Sequence, residues 1–294
     1  MNPRFIIICC AMLTFTAYES SGQQLNLPRK SPKASTSYTI GLTQITIHYS
    51  SPAVNGRVIW GDVVPYGQVW RAGANETSSI EFNTDVMVEG EELPKGKYAF
   101  FLIPGEGDND WTAIFNKDWD QWGAYGYDAA HDMLKVKVKA EDTDVNQERL
   151  NYSIRDEGVD RGYIRIGWAK KRIFIQLQTN AMTESMVKLE DALLHGEADQ
   201  KWAIYAQGAD FLLGAQGDMD KALEWCNQST SLQDDQSWNW WIKAQVHAKR
   251  GEVKEAIESG EKSVATGKAN PEDRFYQAVK ETMAKTIGDW KSQM

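Results

Sequence analysis

The octapeptide Thr43–Ser50, TQITIHYS, decides how the chain is read. Ile45, Ile47 and Tyr49 alternate with Thr46, His48 and Ser50. A period of two puts successive side chains on opposite faces of a strand, here one apolar and one polar. Downstream the same grammar recurs in short pieces. Thr77–Phe82, Val86–Val88, Lys97–Ile103 and Trp111–Asn116 read as strands, as do Leu134–Val138, Arg149–Ile154, Gly162–Trp168 and Arg172–Gln178. Turn signals such as Glu89-Gly90-Glu91, Leu93-Pro94-Lys95-Gly96 and Pro104-Gly105 separate them. Short strands at near-regular spacing, with no helical pattern between them, predict an antiparallel sandwich or barrel, and a sandwich of jelly-roll or immunoglobulin-like kind is the fold expected. Before them, Leu25–Thr36 is polar and contains proline, and reads as a flexible lead-in.

The strands frame two irregular stretches. Ser50–Glu76 crowds Asn55-Gly56, Gly61-Asp62, Pro65-Tyr66-Gly67 and Ala72-Gly73 around Trp60 and Trp70. Turn residues at that density exclude helix and central strand, and a long loop in a small domain is commonly functional. It ends on Arg71, Asn75 and Glu76, a donor fork, an amide and a carboxylate suited to a sugar or a small acid, or to pinning the loop itself. Asn116–Asp128 interleaves Trp119, Trp122, Tyr125 and Tyr127 with Asp118, Asp120, Gln121 and Asp128. Apolar rings beside amides and acids suit a carbohydrate platform, and equally a lid that closes one end of the sheet. The ligand-binding candidates are therefore Trp60, Trp70, Arg71, Asn75, Glu76, Trp119, Gln121, Trp122 and Tyr125.

The search for chemistry gives little. No nucleophile elbow, phosphate loop or dinucleotide fingerprint occurs, so no cofactor is expected. The four histidines, His48, His131, His195 and His247, lack ligand spacing, and no metal site is expected. Glu76 with Asp62 supplies two carboxylates, the pair that sugar hydrolysis requires at a defined separation, and His48 lies near them in sequence. These three are the catalytic candidates of an alternative, hydrolytic reading. A structural envelope scaffold is the third reading.

Near residue 180 the pattern changes to helices. Met182, Met186, Leu189 and Leu193 share one helical face. Gly217 and Gly251, and likewise Ala222 and Ala256, stand 34 positions apart, the period of a tetratricopeptide repeat. Asn270-Pro271-Glu272-Asp273 then opens a last helix, with Asn270 as the expected cap and Phe275, Val279, Met283, Ile287 and Trp290 along its apolar face.

Composition bounds the rest. The chain has 294 residues, 42% of them hydrophobic, and a net charge of −9, which speaks against nucleic acid or an anionic membrane as partner. Twelve tryptophans raise the expectation of binding without selecting a ligand. Arg4 followed by the apolar run Phe5–Ala17 reads as a signal peptide over residues 1–22, cleaved before Gln23, which predicts a periplasmic or extracellular protein with no membrane-spanning segment left after cleavage. Cys9 and Cys10 leave with that peptide. Cys226, on the apolar face of a predicted helix, is expected to be a buried hydrophobe.

With these motifs assembled, the sequence resembles a family of exported bacterial proteins, the DUF2911 domain. The resemblance is carried by Tyr49-Ser50-Ser51-Pro52, Trp60-Gly61-Asp62, Val64-Pro65-Tyr66-Gly67, Val69-Trp70-Arg71 and Gly73-Ala74-Asn75-Glu76. It continues through Val88-Glu89-Gly90, Ile103-Pro104-Gly105, Phe115-Asn116-Lys117 and Gln121-Trp122-Gly123-Ala124-Tyr125. It spans roughly residues 31–178 and implies an exported β-rich module without an assigned reaction. The expected organisation is α+β in two domains: signal peptide 1–22, lead-in 23–37, β-sandwich 38–180 and tetratricopeptide-like helices 181–294. The expected activity is non-enzymatic binding, of a carbohydrate or small acid by the sandwich and of a protein by the helices.

Overall fold

A computed structural model describes residues 27–107 and 111–294. The expected signal peptide falls outside the described residues. The octapeptide Thr43–Ser50 forms strand β2, and its alternation reappears as burial. Ile45 and Ile47 are fully enclosed, while Gln44 and His48 face solvent. Around it run β1 (Lys33–Ile40), β3 (Ser78–Phe82), β4 (Val86–Val88), β5 (Glu91–Leu93), β6 (Gly96–Ile103), β7 (Trp111–Asn116), β8 (Asp132–Asp156) and β9 (Arg161–Gln178). The strands form one antiparallel sheet in the order β1-β2-β3-β6-β7-β8-β9-β4-β5.

The sheet curls strongly. Three strands lie between β2 and β8, which in a flat sheet at about 4.8 Å per strand would hold them about 19 Å apart. Yet the rings of Tyr49 and Tyr152 are 4.6 Å apart, and Tyr38 on β1 donates its hydroxyl to Asp156 on β8. β8 makes the turn: residues 132–138 pair with β7, and residues from 139 onward pair with β9. One core fills the interior, with Phe82, Phe100, Trp111, Phe115 and Trp168 at its centre.

Three features differ from the sequence reading. Residues 33–37, expected to be flexible, belong to β1, paired with β2 from Lys33↔Ser50 to Ile40↔Thr43. An edge strand that is largely exposed carries no apolar alternation, so its sequence KASTSYTI gives no periodic signal. The segments 134–138 and 149–154 are parts of a single strand, as are 162–168 and 172–178. The polar run between Glu141 and Glu148 reads as a loop, but the ladder continues across register shifts at Asp142–Gln147 and Gln147–Asn151. On β9 the break is only a kink at Ala169, whose φ is 49°.

β9 passes almost directly into helices. Thr179 donates its amide to Asp160 O at 2.7 Å, and Ala181 is buried at the start of α1 (Ala181–His195). There follow α2 (Lys201–Gly214), α3 (Met219–Leu232), α4 (Ser237–Lys249), α5 (Val253–Ala269) and α6 (Arg274–Lys291). α2 packs on α3, α4 on α5, and α6 on α5. Gly208 lets α2 approach α3 so closely that a Cβ there would lie 2.3 Å from the Trp225 ring. α3 and α5 begin 34 residues apart, with Ala222 and Ala256 fully buried at matching positions. The turns before them are not equivalent. Gly251 takes the left-handed conformation in the second (φ 80°), whereas in the first Gln216 does (φ 52°), because that turn is one residue longer. α6 is capped by Asp273, whose carboxylate accepts from Tyr276 N at 2.9 Å, and not by Asn270, which caps the preceding turn instead. Cys226 lies buried between α2 and α4, and burial pushes its thiol up to about 12. No described helix is long and apolar enough to cross a membrane.

Candidate functional site

The two irregular stretches of the sequence meet. Glu76 and Trp122 form an antiparallel bridge. On either side Thr77 N donates to Gln121 O at 3.0 Å, and Gly123 N donates to Asn75 O at 3.0 Å. The Thr77 hydroxyl also donates to Gly123 O. A short ribbon thus joins segments more than forty residues apart in sequence. Two left-handed non-glycine residues shape its approach, Ala72 (φ 50°) and Asn75 (φ 58°). For Ala72 this conformation costs about 1–2 kcal/mol. It is held by Tyr152 and Ser78, whose hydroxyls donate to Ala72 O at 2.6 and 3.0 Å. Asn75 Nδ2 reaches Ser31 O at 3.3 Å. Backbone strain concentrated in this way is characteristic of functional loops.

The second stretch is fastened at its base. Asn116 is fully buried, and its Nδ2 donates to Asp128 O and to Asp132 Oδ1, both at 2.9 Å. His131 contacts Asp118 across the same neck. Ala124 and Tyr127 pack on a second, smaller apolar cluster formed by Ala99, Phe101 and Ile114 on the sheet face opposite the main core. Tyr127 donates to Asp132 Oδ2 at 2.7 Å; burial first, and then this carboxylate, hold its hydroxyl well above the usual phenol range.

Beside the ribbon lies a cleft of about 270 Å³, lined among others by Lys33, His48, Ser50, Glu76, Thr77 and Lys97. His48 comes from the polar face of β2, and Lys97 from the start of β6. Glu76 Oε1 is 3.3 Å from Lys33 Nζ, and its Oε2 accepts from Ser50 Oγ at 3.4 Å. Lys97 Nζ stands 3.6 Å over the centroid of the Trp119 ring, a cation–π contact that links this cleft residue to an aromatic. Among the described residues no group of three or more His, Cys, Asp or Glu is arranged to hold a metal.

The structure sorts the residues singled out in the sequence. Glu76 and His48 share the cleft, and Trp119 borders it through Lys97. Trp122 and Tyr125 are 58% and 91% exposed. Gln121 turns inward, donating from Nε2 to Asp118 O at 2.6 Å. Asp62 sits on the exposed turn between Gly61 and Val64 and does not line the cleft with Glu76. Trp70 belongs to the core and Trp60 packs, partly buried, against it: Trp60 lies edge-on to Trp70, Trp111 and Trp168 at 5.6, 4.9 and 5.8 Å. Arg71 is half-buried, and burial lowers its guanidinium from the ordinary value, opposed by the nearby Tyr125. Lys33, Ser50, Thr77 and Lys97 escaped the sequence reading. Only Ser50, which opens the first stretch, and Thr77, which directly follows it, offered any positional hint.

An antiparallel sheet domain that carries a loop-built polar cleft, followed by helical hairpins, is the class these features define. A family model matches residues 31–177, from just before β1 to the end of β9, and the chain belongs to that family, DUF2911, described as proteins of unknown function. No curated protein and no solved structure matches it.

Proposed function

We propose that the protein is an exported, non-enzymatic binding module whose cleft beside the Glu76–Trp122 ribbon takes a polar ligand, a carbohydrate or a small acid. In this reading the curled sheet is a sandwich of jelly-roll or immunoglobulin-like kind, and α2–α6 are tetratricopeptide-like hairpins that engage a protein. The observation that carries it is the ribbon itself. It joins the loop that carries Glu76 of a mixed-charge cleft to the loop that carries three exposed rings, Trp119, Trp122 and Tyr125. Ring faces beside convergent polar groups are the usual composition of a sugar-binding surface. A thermal-shift panel of neutral and acidic sugars and small carboxylic acids tests the reading. At least one ligand should raise Tm in the native chain and lose that effect in Glu76→Gln or Trp122→Ala; a panel that never shifts Tm refutes it.

A second reading, hydrolysis of an extracytoplasmic polar substrate, is favoured by the one cleft that brings the Glu76 carboxylate and the His48 imidazole together. Asp62, the second carboxylate of that reading, does not line this cleft. Turnover of any panel ligand that disappears in both Glu76→Gln and His48→Ala would establish hydrolysis; turnover that survives both would remove it.

A further inference from the structure

Arg71 stands apart among the cations around the ribbon. Lys33 pairs with Glu76, Lys97 stacks on Trp119, and Arg57 donates to the carbonyls of Ala53 and Val54. Arg71 is half withdrawn from water and its Nε is wholly buried with no acceptor. Among the described residues no carboxylate approaches it within ion-pair distance, in a chain with 41 aspartates and glutamates. Taking a charge out of water without a counter-ion is costly, and buried charges are as a rule paired. A guanidinium kept in this state at a loop-built site is a pre-formed anion receptor, because its planar fork matches a carboxylate in bidentate fashion. The fold holds it in place. Ser78 N donates to Arg71 O at 3.3 Å, two residues beyond the Glu76–Trp122 bridge. Tyr125, the titratable group that Arg71 faces, is almost wholly exposed, and Trp122 offers its ring on the same ribbon.

We propose that the paired loops form a subsite for an acidic sugar, in which Arg71 binds the carboxylate of a uronate while the Trp122 and Tyr125 rings take the sugar face. The proposal rests on the binding reading above and narrows its ligand to one class. One unpaired positive charge calls for one negative charge, which a uronate supplies and a phosphosugar dianion exceeds. Exposed rings favour a pyranose over a bare hydroxy acid, which has no ring to stack.

Isothermal titration of the chain with glucuronate and galacturonate, against glucose, glucose 6-phosphate and glycolate, tests it. Uronate should bind more tightly than all three comparators. Arg71→Gln should weaken uronate binding about ten- to a hundredfold, the loss expected for a hydrogen-bonded charge, and weaken glucose binding far less. Arg71→Lys, which keeps the charge and loses the fork, should fall between. The ligand-free Arg71→Gln protein should melt no lower than the native one, because the substitution removes an unpaired desolvated charge. A loop-pinning role predicts the opposite, so a clear drop in Tm overturns the proposal. So does glucose 6-phosphate or glycolate binding as tightly as uronate. Uronate binding that Arg71→Gln leaves intact sinks this inference and spares the cleft; a chain that binds no sugar or acid sinks both.

Discussion

Truncating Trp60 separates a tryptophan packed against the core from an exposed one. The side chain makes three edge-on ring contacts, at 5.6, 4.9 and 5.8 Å. At about 0.5–1.5 kcal/mol each beyond area burial, these contacts alone are worth about 1.5–4.5 kcal/mol. Trp-to-Ala substitutions in packed cores cost about 3–5 kcal/mol in total, a large part of the 5–15 kcal/mol that keeps a domain folded. Trp60→Ala should therefore lower the free energy of unfolding by about 3–5 kcal/mol. Trp60→Phe should cost only about 1 kcal/mol: it keeps a ring in the cluster and removes an indole N–H that is buried without an acceptor. Trp122→Ala, at an exposed ring, should stay within about 0.5 kcal/mol of the native protein. Urea unfolding followed by far-ultraviolet circular dichroism measures all three, because tryptophan fluorescence would itself change with the substitutions. If Trp60→Ala costs less than about 1 kcal/mol, or Trp122→Ala costs as much as Trp60→Ala, the division of the tryptophans into core and surface is wrong.

Two further outcomes are expected. Gly208→Ala places a methyl 2.3 Å from the Trp225 ring and should destabilise the helical segment by about 1–3 kcal/mol, read from the same urea curves. The Cys226 thiol, ordinarily near 9.0 and pushed up to about 12 by burial, stays protonated in the fold but ionises in the unfolded chain. Its contribution to stability is thus fully present below pH 9 and declines from there towards pH 12, at up to about 1.4 kcal/mol per pH unit. The stability gap between the native chain and Cys226→Ala should shrink over that range; a constant gap would contradict the assignment.

The antiparallel sheet and the helical C-terminal segment were legible because their signals are local. β2 announces itself by alternation, and the hairpins by small residues repeated 34 apart. The limits have physical causes. An exposed edge such as β1 has no apolar face to write into its sequence. A long strand that bends through bulges, as β8 does between Asp142 and Asn151, interrupts its own pattern and reads as two. Both irregular stretches were recognisable from turn residues, but their pairing at Glu76 and Trp122 is a long-range contact that no local pattern encodes. Trp60 and Trp122 are alike in sequence, each followed by a glycine, and only packing distinguishes the ring against the core from the ring in solvent. The cleft residues Lys33 and Lys97 depend on that packing as well, being drawn from strands far apart in the chain.

The passage from β9 to α1 has a mechanical meaning. β9 is an inner strand of the sheet, flanked by β8 over most of its 18 residues and by β4 near its end. Only Thr179 and Asn180 separate Gln178 from the first helical residue. Antiparallel ladder bonds run perpendicular to the strands. A pull transmitted from the helices along β9 therefore loads many of those bonds together in shear, and does not peel them apart singly from an edge. The helical segment is thus attached to the sheet through an inner strand, where a load is shared across the ladder.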